Sequence, residues 1–280
     1  MNLLIAEQTM DKLEKELTFP ENEGGLRTQG YFRASLSNMP LITVVTVVFN
    51  GAKILEETIK SVINQNYNNV EYIIIDGGST DGTLDILRKY QNIIDYWVSE
   101  PDNGIYDAMN KGIDLANGKW INFMNAGDIF LNSNVIKNIF FGQHFKNIQI
   151  IYGNHKVRGK NDRIRLAKKG KVKNLWQGSQ FCHQATFIAV DFHKCFPYNL
   201  HTKIVADFEF FYRAWKSKAS FLDCRETICL FEAGGVSDVN RIDSILGWWI
   251  VVDKNHKVNF YYIFYIIKEV VKSVMKNAIK

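Results

Sequence analysis

Four short apolar runs set the frame of this chain: Ile42 to Phe49, Val70 to Ile75, Ile93 to Val98 and Lys119 to Met124. The first is too continuously apolar to alternate, which marks a strand buried on both faces. Between the runs, apolar positions recur at helical spacing. Ile54, Leu55, Thr58, Ile59, Val62 and Ile63 define a helix within Ala52 to Asn66. Further helices are expected from the Thr80-Asp81 turn to Tyr90, over Tyr106 to Ala116, and near Ser133 to Phe140. Strand–helix alternation at this spacing predicts right-handed βαβ units and a mainly parallel sheet, a Rossmann-like α/β fold.

Beyond Ile148 the rhythm changes. Ile150 to Val157 and Arg163 to Ala167 read as a basic hairpin around Gly159-Lys160-Asn161-Asp162. Ala185 to Val190, Ala219 to Leu222 and Thr227 to Phe231 read as short strands. Val205 to Lys216 is helical, with Phe208, Phe211, Tyr212 and Trp215 on one face. A loop from Glu232 to Ser237 leads to two final helices, Arg241 to Asp253 and Val258 to Ile279. In the last of these, Ile263, Ile266, Ile267, Val270, Val271, Val274, Met275 and Ile279 share a face opposite Lys268, Lys272, Lys276 and Lys280. That pattern suits a helix lying in a bilayer interface, and equally one docked on the protein's own core or on a partner subunit. Residues 1–39 are polar and are expected to form a short helix and a basic surface arm bearing Arg27 and Arg33.

Charge sharpens this picture. The chain of 280 residues carries a formal +5, but unevenly. Residues 155–174 hold nine Lys/Arg against Asp162 alone, and residues 251–280 hold six Lys against Asp253 and Glu269. Positive charge concentrated in this way points to phosphates or anionic lipid headgroups, and no nucleic-acid-binding motif accompanies it. The four cysteines, Cys182, Cys195, Cys224 and Cys229, lack CxxC or zinc-ligand spacing, so reduced thiols in a cytoplasmic protein are expected. The first residues have neither the basic start nor the apolar core of a signal peptide, and no apolar run has the length of a spanning helix.

The chemistry sits at the ends of two strands. Ile73-Ile74-Ile75 ends on Asp76 and the turn Gly77-Gly78-Ser79-Thr80-Asp81-Gly82-Thr83; Trp120 to Met124 ends on Asn125-Ala126-Gly127-Asp128. In open α/β sheets that edge is where ligands bind. No GxGxxG, GxxxxGK[ST] or EF-hand loop is present. What remains is carboxylate-rich: one acid suited to a base or ribose, and one suited to a hard cation that holds a diphosphate. Asp81 reads equally as a helix cap, and Asp102 and Asp107 as a capping pair for the helix near Tyr106.

The segments TVVFNGAKILEETIKSVINQNYNNVEYIIIDGGSTDGT and SEPDNGIYDAMNKGIDLANGKWINFMNAGD resemble the family 2 glycosyltransferases, inverting enzymes of GT-A fold that use nucleotide-diphosphate sugars. The resemblance covers about residues 40–237. It implies a catalytic domain with a nucleotide-sugar half (40–130) and an acceptor half (131–237), between an extension (1–39) and C-terminal helices (238–280). It further implies a divalent cation, Mg²⁺ or Mn²⁺, at Asp128, and donor contacts from Thr46, Phe49, Asn50, Asp76, Gly78, Ser79, Asn110, Lys111, Asn125 and Ala126. Asp207 matches the aspartate of the family's Glu-Asp pair and is the expected base, with His183 of Phe181-Cys182-His183-Gln184 beside it. The chain departs from the pattern at Asn125 and Gly127, where carboxylates often stand, at Met109, where arginine is usual, and at Ala206, where the glutamate would be. Gly234-Gly235-Val236-Ser237 resembles the loop that closes over the donor. The implied setting is bacterial polysaccharide, lipopolysaccharide or O-antigen assembly on a lipid-linked glycan acceptor, at the cytoplasmic face of the membrane. Rival readings are a nucleotidyltransferase, for which Thr46 to Lys53 lacks the Gly-rich basic loop, and a silent nucleotide-sugar-binding protein, for which a missing base would speak.

Overall fold

The computed structural model describes residues 22–202, 204–234 and 239–278. Residues 1–21, Lys203, Gly235 to Asp238, Ile279 and Lys280, and the side chains of Lys160, Lys276, Asn277 and Ala278, lie outside the described part, and with them the expected N-terminal helix and most of the expected closing loop. The first half runs β1 (Glu23–Gly24), β2 (Ile42–Val48), α1 (Leu55–Ile63), β3 (Val70–Asp76), α2 (Thr83–Tyr90), β4 (Tyr96–Ser99), α3 (Ile105–Leu115) and β5 (Trp120–Phe123). The second half runs β6 (Ile129–Phe130), α4 (Val135–Phe140), β7 (Ile150–Arg158), β8 (Ile164–Ala167), β9 (Thr186–Ala189), α5 (Val190–Cys195), α6 (Ala206–Lys216), β10 (Phe221–Glu232), α7 (Arg241–Val251) and α8 (His256–Ala278).

One mostly parallel sheet holds both halves, in the order β1-β4-β3-β2-β5-β9-β7-β10-β6, with β8 hairpinned onto β7. Strands β4, β3, β2 and β5 are parallel, as are β7 and β10. Antiparallel β9 joins the two groups. Every residue of β2 is buried, because helices cover both faces of the sheet. The period of two assigns them: Val45 and Val47 pack with Met109, Ile113 and the aromatics of α6, while Val44 and Val48 pack with Leu55, Ile59 and Leu87. Helix α1 turns Leu55, Thr58, Ile59 and Val62 to that second layer, the expected spacing.

Two elements differ from the sequence pattern. The two short strands expected between Ala219 and Phe231 are one strand, β10, because a bulge absorbs Cys224 to Glu226 with Arg225 at φ 61°. Strand β4 starts at Tyr96 rather than Ile93, since Asp95 turns inward to accept the Tyr72 N–H at 2.9 Å.

The basic arm is fastened rather than free. Glu23 and Gly24 extend the sheet against β4, and Arg33 pairs with the buried Asp95 at 2.7 Å. Arg27 pairs with Glu71, which is 1% exposed and also takes hydrogen bonds from Thr43 and Asn117. Removing one partner of a buried pair strands the other charge, so Arg27→Ala is expected to lose about 3 kcal/mol of folding stability. Urea denaturation checks it; a loss under about 1 kcal/mol, the range of exposed pairs, would rule out this anchoring role.

Candidate active site

The strand ends β2, β3 and β5 place the chemistry on one edge, and two turns shape it. After β5 the chain reverses at Gly127, whose φ of 94° lies in the left-handed region that favours glycine. The turn closes by Asp128 N–H donating to the Asn125 carbonyl at 2.9 Å. Thr58 of α1 locks it, accepting from Gly127 N–H and donating to the Asp128 carbonyl, both at 2.9 Å. One Asp128 oxygen, Oδ2, accepts from Gln184 Nε2 at 2.9 Å, and Oδ1 has no hydrogen-bond partner among the described residues. Burial pushes this carboxyl up to about 6, against the opposing pull of Gln184 and His183.

From Asn125 a hydrogen-bonded chain runs into the second half of the protein. Asn125 Nδ2 lies 3.0 Å from His183 Nε2, and His183 Nδ1 lies 3.4 Å from Asp207 Oδ2. When the ring is neutral and the amide donates to Nε2, the ring proton sits on Nδ1 and points at the carboxylate. Asp207 Oδ1 accepts from Tyr106 O–H at 3.1 Å and from Phe208 N–H at 2.8 Å. Burial would raise the Asp207 carboxyl, but the hydrogen bond and charge of His183 outweigh it and hold it below the ordinary carboxylate range. Burial likewise would lower the His183 imidazole, and Asp207 holds it above its ordinary value. Asp207 also stands in the first turn of α6, where the helix dipole favours its anion. The Asn125 Oδ1 atom is buried at this site without a partner among the described residues. A buried unpaired oxygen is costly, and a donor group from a ligand would satisfy it.

The turn after β3 is built differently from the sequence expectation. Asp76 is fully buried, and its oxygens accept from Ser79 N–H at 2.9 Å, Ser99 O–H at 2.6 Å and Ser79 O–H. It is therefore a brace for the turn and offers no free atom at the edge. The free carboxylate oxygen there belongs to Asp102: Oδ1 caps the Gly104 N–H, while Oδ2 approaches Gly77. A Cβ on Gly77 would stand 2.6 Å from that oxygen and 3.4 Å from the Phe49 ring, so the glycine allows the three to meet. Phe49 is 66% exposed beside them. Asn50 bridges the turns, its Oδ1 accepting from Thr80 N–H and its N–H donating to Ser79 Oγ. Asp81 proves to be a cap, accepting from Thr83 and from Ala52 N–H.

Other expected donor contacts are turned elsewhere. Thr46 is fully buried and bonds Met124 and Tyr72, bracing β2 against β5. Asn110 spends both ends of its amide on the Tyr198 backbone at 2.9 Å. Lys111 pairs with Glu100 at 2.7 Å and bonds the Pro101 carbonyl. Gly78 turns the chain at φ 81°, and Ala126 ties to the Val47 carbonyl beside the Asn125 edge. Gln184, Tyr106 and Asp102 join the site although sequence reasoning did not place them there. All four cysteines are free.

The family model described as glycosyl transferase family 2 matches residues 43–199, more than half of the chain. The chain belongs to glycosyl transferase family 2. A PGL/p-HBAD biosynthesis glycosyltransferase of Mycobacterium bovis is 31% identical over 186 residues, covering 64% of this chain and 72% of its own. An uncharacterized glycosyltransferase of Mycobacterium tuberculosis is 32% identical over 217 residues, covering 76% and 82%. Among solved structures, the glycosyltransferase resembles a mannosyltransferase from Pyrobaculum calidifontis, PcManGT, in complex with GDP-Man and Mn²⁺, at TM-score 0.60 and 14% identity over 83% of this chain and 71% of that one. It also resembles S. aureus TarS in complex with UDP-GlcNAc, at TM-score 0.57 and 17% identity over 75% and 65%. These likenesses identify the sheet and its helices as a GT-A fold.

Proposed function

We propose that this glycosyltransferase moves a sugar, with inversion, from a nucleotide-diphosphate donor to the hydroxyl of a lipid-linked glycan. Assembly of a bacterial surface polysaccharide at the cytoplasmic face of the membrane is the setting this reading implies. The observation that carries it is the meeting of Asp128 and the Asn125–His183–Asp207 chain at the exit of β5. Two structural neighbours, one in complex with UDP-GlcNAc and the other with GDP-Man and Mn²⁺, support a nucleotide-sugar donor. On this reading Phe49 and the free oxygen of Asp102 receive the base, and Asn125 Oδ1 accepts from a ribose hydroxyl.

Among the described residues no cluster of three or more His, Cys, Asp or Glu forms a metal cage. The donor set nevertheless fits Mg²⁺ or Mn²⁺, which bind through one or two carboxylates and otherwise through water and substrate phosphates. Asp128 would hold the ion by its unpartnered Oδ1, and the bound ion would supply positive charge to the leaving diphosphate. Asp207 takes the proton of the acceptor hydroxyl as that oxygen attacks the anomeric carbon. His183 and Tyr106 keep the carboxylate ionised and aimed. One base acting opposite the leaving group gives inversion. An α-linked donor should therefore yield a β-linked product by proton NMR, and an α-linked product would overturn the inverting assignment. The same paired proton acceptor tells against a silent binding protein. The turn after β2, filled by Asn50, Asp81 and Ser79, tells against a nucleotidyltransferase.

Helix α8 supports the membrane setting. Its inner side docks, with Tyr262 fully buried and its hydroxyl on the Trp176 carbonyl at 3.1 Å. Its outer side leaves Phe260, Ile263, Phe264, Ile267, Val271 and Val274 exposed, beside Lys268 and Lys272. No described helix is long and apolar enough to cross a membrane, so the exposed face suits a helix lying in the interface. The protein is expected to sediment with vesicles containing phosphatidylglycerol and to be released when Lys268, Lys272, Lys276 and Lys280 become glutamate. Each lysine near an anionic leaflet contributes roughly 1 kcal/mol, fading as salt rises. Failure of the wild type to sediment would instead favour a second copy of the chain on this face.

A further inference from the structure

A basic basin stands beside the acceptor side of the site and takes no part in the mechanism above. It has a volume of about 440 Å³ and is lined by Lys168, Lys169, Lys171 and Lys173, with Asp223 as its single acid. Lys169 is neutralised by Asp223 at 2.9 Å. Lys168, Lys171 and Lys173 are exposed and make no ion pair among the described residues. Three unpaired ammonium groups around a concave surface repel one another, and a bound polyanion relieves that repulsion.

The position of the basin suggests which polyanion. Tyr152 forms one wall and stacks on Phe181 with ring centroids 4.7 Å apart, two residues before His183. The lysine loop is tied to the same segment by Gly170 N–H donating to the Gln180 carbonyl at 2.6 Å. Asn154, also in the wall, accepts from the Lys169 N–H. On the other side Val172 opens the 3₁₀ turn Val172–Gln177, and α8 sits on that turn through the Tyr261 and Tyr262 hydroxyls. The basin's walls are thus tied on one side to the segment that carries His183 and on the other to the helix whose apolar face is left exposed.

We propose that this basin binds the phosphate or diphosphate of the acceptor, the group that joins its glycan to its lipid. The inference rests on the transferase reading above and adds the chemical class that the acceptor must contain. The lipid would then lie along α8, the phosphates among Lys168, Lys171 and Lys173, and the sugar hydroxyl near Asp207.

The test uses the full chain without divalent ion, so that cation-assisted binding at the donor edge is silent. Inorganic pyrophosphate and farnesyl diphosphate are titrated by calorimetry into wild type, Asp128→Asn and the triple variant Lys168→Gln, Lys171→Gln, Lys173→Gln. All three lysines are exposed, so the triple variant should fold, and its circular dichroism is compared with wild type. Both probes are expected to bind wild type and Asp128→Asn alike, and the triple variant roughly tenfold to a hundredfold more weakly. Equal binding by the triple variant, or loss of binding in Asp128→Asn instead, overturns the proposal. Sedimentation with phosphatidylglycerol vesicles separates the sources: if the triple variant loses vesicle binding alone, the lysines read lipid headgroups and the acceptor assignment falls. Hydrolysis of nucleotide sugars by wild type reports on the transferase reading independently.

Discussion

Asp128→Asn is expected to lower transfer by about 10²–10³-fold, the usual loss when a preorganised electrostatic stabiliser is removed. The amide keeps the size of the side chain and one oxygen, so the turn locked by Thr58 should persist. What disappears is the anion on the oxygen that has no hydrogen-bond partner among the described residues. Donor affinity should therefore fall only when Mg²⁺ or Mn²⁺ is present, and wild type and variant should bind donor equally in chelator. Calorimetry with and without EDTA reads this directly. Near-native turnover by the variant with the cation chelated would remove Asp128 from the cation site.

Asp207→Asn should separate chemistry from binding. A base acts on the acceptor proton in the transition state, so its loss lowers kcat while donor affinity holds. A fall of about 10²–10⁴-fold is expected for a positioned general base. The neighbours help make the substitution interpretable: Tyr106 and Phe208 N–H remain to bond the amide oxygen, so α6 should keep its start. A variant with wild-type turnover would move the base to His183. A variant that also loses donor binding would indicate a structural role for Asp207.

The sheet was legible because strands covered on both faces must be apolar at consecutive positions, as Ile42 to Val48 are. Its broken part was not, since the polar stretch Asp223 to Glu226 reads as a turn and is a bulge in β10. The turn carrying Asp128 announced itself by Gly127 and the strand before it. The site's other half did not, because His183 and Asp207 lie 24 residues apart on separate elements and meet only in the fold. Asp76 shows the limit of reading a strand-end carboxylate as a ligand: two serines, one of them from the next strand end, consume it. Asn110 shows the same for a motif residue, its amide spent on a chain segment that no local pattern connects with it. Resemblance supplied Asp207 and His183, while Tyr106, which also bonds Asp207, came only from geometry.

On the proposed reading, the edge formed by Asp102, Asn125, Asp128, His183 and Asp207 activates a nucleotide-diphosphate sugar. A panel of nucleotide sugars incubated with the purified protein, followed by nucleoside diphosphate release with and without Mn²⁺, tests it most directly. Cation-dependent release is expected from one donor or a few closely related ones, abolished by chelator and restored by adding the ion back. Equal release with the cation chelated, or release of a nucleoside monophosphate and a sugar phosphate, would contradict it.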